Sequence, residues 1–141
     1  INAIFQWGND MRTSAKTALA CLCLATSAMS SPAAAEPLGG DQIKQLIGGK
    51  KVFLSTPLRI ELPLIYRNDG SVVGNISGFS MASMFTPSES GRWWVENDRL
   101  CQKWPTWYKG KQFCFTIVQT GPSKIKWTRD DNYSGTARIA N

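Results

Sequence analysis

From Lys51 onward the apolar positions recur at every second residue, the period of a strand with one buried face. This alternation predicts strands over residues 52–55, 59–67, 71–77, 92–96, 99–104, 111–119, 124–129 and 134–140. The breaks between them carry turn chemistry. Asn68-Asp69-Gly70 closes the clearest hairpin, where Gly70 can supply the positive φ a tight turn needs. Asn97-Asp98, Gly121-Pro122-Ser123 and Asp130-Asp131-Asn132 punctuate the rest in the same way. Pro63 within the second run points to an edge or a bulge, because proline cannot donate to a ladder.

Ahead of the strands the period is helical. Ile43, Leu46 and Ile47 form one stripe at i, i+3 and i+4, with Asp41 placed as the cap and Gly48-Gly49 as the stop. Residues 37–40 read as a linker into it. A helix of about two turns does not persist alone, so it is expected to pack on, or plug, the sheet. One short helix and about eight closely spaced strands predict a mainly-β antiparallel meander. Its simplest form is a small lipocalin-like barrel or half-barrel, and a β-sandwich is the alternative.

The first 35 residues fall outside this pattern. Residues 1–10 are read as an extension that takes no part in the fold. From Met11, a basic start at Arg12 and Lys16 leads into an apolar stretch over 17–29 and then Ala33-Ala34-Ala35. That is the layout of a secretory signal peptide, with cleavage expected after Ala35 and a single domain over 36–141. The apolar stretch is well short of the roughly 20 residues a membrane span requires, so no transmembrane segment is expected in the mature chain.

Composition then narrows the chemistry. The sequence carries a formal charge of +6; without Arg12, Lys16 and Asp10 the domain keeps +5. This favours encounter with anionic surfaces, which for an exported protein means acidic polysaccharide or lipid headgroups rather than nucleic acid. A modest positive charge also serves simply to keep a small domain soluble. The sequence contains no histidine, which removes Ser-His-Asp and Cys-His catalysis and most zinc sites. No enzyme signature, cofactor motif or metal site is expected. Cys21 and Cys23 would leave with the leader. Cys101 and Cys114 would then face each other across antiparallel strands if Trp104 pairs with Lys111, which suits a structural disulfide.

Two stretches attract a functional reading. Between the cysteines lies a basic-aromatic loop with its flanks, Lys103, Trp104, Trp107, Tyr108, Lys109 and Lys111. Flat rings beside ammonium groups suit a sugar face or an anionic headgroup, although Trp104 and Trp107 equally suit the core of a small β-domain. The second stretch, residues 78–90, is too apolar for a solvated loop. Phe79, Met81, Met84 and Phe85 are read as a lid over the barrel, since two methionines without a histidine make a poor metal site. Trp93 and Trp94 must face opposite sides of one strand, so only one can enter the main core.

The run GRWWVENDRLCQKW, then CFTIV, then SGTARI resembles a group of small exported Gram-negative bacterial proteins classed as a domain of unknown function. The resemblance spans about residues 41–139. It implies a periplasmic or secreted setting, supports the pairing of Cys101 with Cys114, and brings no catalytic residues. The expectation is therefore an exported, non-enzymatic envelope binding protein for an anionic or glycan-type ligand. Its alternatives are a lipocalin-like carrier of a small apolar ligand, and an inhibitor or adaptor that engages an envelope protein.

Overall fold

The computed structural model describes residues 34–56, 59–77 and 87–140. The expected extension, the expected leader as far as residue 33, and the expected lid residues Phe79, Met81, Met84 and Phe85 lie outside the described residues. What is described is a helix, α1 (Gly40–Ile47), followed by eight strands. These are β1 (Lys51–Ser55), β2 (Glu61–Tyr66), β3 (Ser71–Asn75), β4 (Ser88–Glu96), β5 (Arg99–Lys103), β6 (Phe113–Gly121), β7 (Lys124–Arg129) and β8 (Ser134–Ala140). Each strand pairs antiparallel with the next, and β8 returns to β1 with Val52 opposite Ile139. The meander is thus a closed barrel, neither a half-barrel nor a sandwich.

Closure removes every sheet edge, yet Pro63 keeps a local one. It pairs with Phe53 of β1, while the ladder to β3 covers only Leu64 to Tyr66. Asn97 and Asp98 both take positive φ, the twist-compatible form of a two-residue hairpin.

Two expectations at the N-terminal side need correction. Residues 37–40 are not a free linker, because Pro37 bridges Val118 and the Leu38 N–H donates to the Ile117 carbonyl at 2.8 Å. Nor does Asp41 cap the helix. Gly39 is the cap residue, and its N–H donates to Gln42 Oε1 at 2.8 Å. The Gly40 N–H donates instead to Asp98 Oδ1 in the β4–β5 turn at 2.7 Å, which pins the helix start to the barrel. Asp41 sits within the first turn, where its charge suits the helix dipole.

The helix stripe is fully used: Ile43 and Ile47 have no exposed surface and belong to the main core. α1 therefore plugs the barrel end that carries the tight β2–β3, β4–β5 and β6–β7 turns. The ends of β1, β3, β5 and β7 lie at the other end, together with the β5–β6 connection and the β7–β8 turn. That end holds the functional candidates.

Candidate functional site

Inside the barrel the two halves differ. On the β3–β4 side the lumen is filled by Trp104 and Trp107, whose rings lie 4.6 Å apart at 35°. The strands make room for them with glycine. A Cβ on Gly74 of β3 would stand 2.4 Å from Trp107, and one on Gly91 of β4 would stand 2.9 Å from Trp104. Both indoles are buried. Trp93 also enters the core, donating its Nε1–H to the Arg67 carbonyl at 2.7 Å. Trp94 faces outward opposite Cys101.

Glu89 anchors this filled half. Its buried carboxylate points inward from β4 and accepts the Thr106 N–H and the Trp107 N–H, each at 2.9 Å, as well as the Thr106 hydroxyl. One side chain taking three donors of the β5–β6 connection fixes that backbone where it enters the barrel. Beyond it, Tyr108, Lys109 and Gly110 all take left-handed dihedrals in a single tight turn, Trp107–Gly110. Two of these carry side chains, and that conformation costs each of them roughly 1–2 kcal/mol. The turn swings Tyr108 out of the core and leaves it at the barrel mouth.

The other half is hollow. A cavity of about 800 Å³ lies between β1–β2 and β5–β8 and touches no residue of β3 or β4. Val52, Leu54 and Leu62 form one wall; Phe115, Ile117 and Ile125 form the facing one; Ile47 of α1 closes the bottom. Tyr66 and Gln102 supply a buried polar pair in the wall, the phenol donating to Gln102 Oε1 at 2.9 Å.

At the mouth the lining becomes aromatic and basic. The Arg129 guanidinium lies 4.1 Å from the Phe113 ring, 5.2 Å from Tyr133 and 6.0 Å from Tyr108. It is held there by a two-point pair with Asp131, Nε to Oδ1 and Nη2 to Oδ2, both 2.7 Å. Hydrogen bonding to Arg129 pulls the Asp131 carboxyl down to about 2, so the pair stays charged. Tyr108 and Tyr133 are 51% and 54% exposed, and both line the cavity.

The expected loop site is thus divided. Trp104 and Trp107 are core residues, and their faces are not offered to a surface ligand, because Gly74 and Gly91 open the barrel to them. Lys103, Lys109 and Lys111 remain exposed, and only Tyr108 reaches the cavity. Cys101 and Cys114 are joined, with Sγ–Sγ 2.05 Å, at directly opposed positions of β5 and β6.

Glu89, Gln102, Arg129 and Tyr133 were not singled out from the sequence. Two of them carried a signal. Gln102 lies between Leu100 and Trp104, and Arg129 follows Ile125 and Trp127, so each is a polar residue at an inward-facing position of an alternating strand. No family model matches the chain, and neither do curated proteins or solved structures.

Proposed function

We propose that this chain is a non-enzymatic binding protein that holds a small, mainly apolar ligand inside its barrel. The observation that carries this reading is the cavity of about 800 Å³, within the range of small-molecule sites, with apolar walls and an open aromatic rim. Its polar groups suit holding a ligand better than transforming one: phenols, an amide, a guanidinium and the hydroxyls of Ser55, Thr56, Ser134 and Thr136 include no general base to activate a nucleophile. Binding of a glycan or polyanion on the outer loop has less support, because its two best stacking rings are buried. The leader-like pattern and the Cys101–Cys114 disulfide favour an exported setting, in the periplasm or outside the cell.

Titration with the apolar fluorescent probe phenylnaphthylamine tests the reading. The folded protein should enhance its emission saturably at a stoichiometry near one. A Leu62→Trp, Ile125→Trp double variant fills the lumen and should lose the enhancement while keeping its β-sheet circular dichroism. Equal binding by the filled variant would place the probe elsewhere and overturn the proposal.

A further inference from the structure

Gln102 is only 6% exposed, and it projects from β5 into the cavity wall. Its carboxamide has one acceptor atom and two donor hydrogens. The acceptor is occupied, since Oε1 receives the Tyr66 hydroxyl at 2.9 Å. Burial pushes the Tyr66 phenol well above its ordinary range, so it keeps its proton and remains the donor. With Oε1 fixed toward Tyr66, Nε2 is turned away from it. Among the described residues, no protein acceptor meets Nε2. An amide donor in the cavity wall without a protein acceptor offers a hydrogen bond to whatever fills the cavity, and the buried Nε1–H of Trp127, which also lines it, has no partner either.

We infer that Gln102 is the polar anchor of this cavity and that its ligand is an apolar molecule carrying an uncharged carbonyl oxygen, as in a ketone, ester or amide. The inference rests on the cavity being a ligand site and adds the chemistry of what enters it. A carbonyl oxygen accepts through two lone pairs and donates nothing, which matches a donor whose own acceptor is already used. A hydroxyl in the same place would bring a proton with no free acceptor at Gln102. A carboxylate would lose its hydration beside a neutral amide. Among the described residues lining the cavity, the one cation is Arg129, and Asp131 holds it at the mouth. Apart from the Trp127 Nε1–H and the hydroxyls of Ser55, Thr56, Ser134 and Thr136, the remaining wall is aliphatic and aromatic, so most of the ligand is recognised by burial.

Displacement of bound phenylnaphthylamine by three probes matched in carbon number tests this: a methyl alkyl ketone, the corresponding methyl-branched alkene and the straight-chain carboxylate. Each is measured on the wild type and on a Tyr66→Phe, Gln102→Met double variant, which removes both members of the polar pair and keeps the packing. Comparing each probe with itself across the two proteins cancels its hydration in water. The ketone should weaken about tenfold in the double variant, while the alkene holds or tightens. The carboxylate should change less than the ketone.

A Gln102→Met single variant supplies the same comparison if the double variant fails to fold. Equal changes for ketone and alkene would overturn the anchor while leaving the cavity reading standing. A carboxylate that weakens as much as the ketone would overturn the uncharged class. Failure of the dye to bind the wild type at all would remove the cavity reading and this inference together.

Discussion

Trp107 lies inside the barrel because β3 has no side chain beneath it. The ring occupies the place a Cβ on Gly74 would take, 2.4 Å from Trp107 Cζ3 and 2.5 Å from Cη2. Adding that single carbon forces the indole, the strand, or both to move. Gly74→Ala should therefore lower stability by about 1–3 kcal/mol, the usual scale for overpacking a core. Gly121→Ala is the matched control, since its Cβ would meet nothing nearer than 3.7 Å. Thermal melts of the two variants should separate clearly. A Gly74→Ala protein that melts with the control would mean Trp107 is not held against β3. The same pairing explains the form of the cavity. Glycine lets indoles fill the β3–β4 side, and where β1, β2, β5 and β6 present leucine, valine and phenylalanine to the lumen the centre stays open.

At the scale of elements, the β5–β6 pair has one of the shortest ladders in the barrel, three opposed residue pairs, with the disulfide at its middle. The connection it closes spans a sequence separation of 13 and carries the strained turn that sets Tyr108 at the mouth. In the chain-entropy account a loop of this length is worth on the order of 3 kcal/mol. A Cys101→Ala, Cys114→Ala variant should melt lower by about that amount, and adding reductant should shift only the wild type. Reductant acting equally on both would show that the bond contributes nothing to the barrel. This staple was legible beforehand, because the register that opposes Trp104 to Lys111 also opposes Cys101 to Cys114. So were the strand number and order, since alternation and Asn-Gly-type turns are local signals.

What escaped the sequence was non-local. The first half of β4, Ser88 to Gly91, has no apolar alternation to read, because its inward positions are Glu89 and a glycine under Trp104. The side chain that accepts the Gly40 N–H at the start of α1 belongs to Asp98, 58 residues away. The hollow was invisible for the same reason: burial periodicity shows which residues face inward, but not whether opposite walls meet.

The pH dependence of the whole barrel follows from which groups it holds in altered states. No histidine is present and the two cysteines of the fold are bonded, so the side-chain types whose ordinary values lie near neutrality are missing from the barrel. Stability should be flat between about pH 5 and pH 9. On the acid side the decisive groups have folded pKa values below their unfolded ones. Hydrogen bonds from Arg129 hold Asp131 down to about 2, Arg138 lowers Glu61, and Ser71 lowers Asp69. Such carboxylates favour the native state fully above the unfolded value near about 4. Their contribution is lost as pH falls toward 2, because the unfolded chain takes up protons first.

On the alkaline side the sign reverses through Tyr66. Burial raises its pKa, so its contribution is complete below the unfolded value of about 10. Above that value it declines, as the unfolded phenol ionises and the native one does not. Denaturant midpoints measured across pH should trace a plateau with two falling limbs. Asp131→Asn should flatten part of the acid limb alone, and Tyr66→Phe part of the alkaline limb alone. A slope between pH 6 and 8, or a Tyr66→Phe protein that still loses stability above pH 10 as steeply as the wild type, would contradict this assignment.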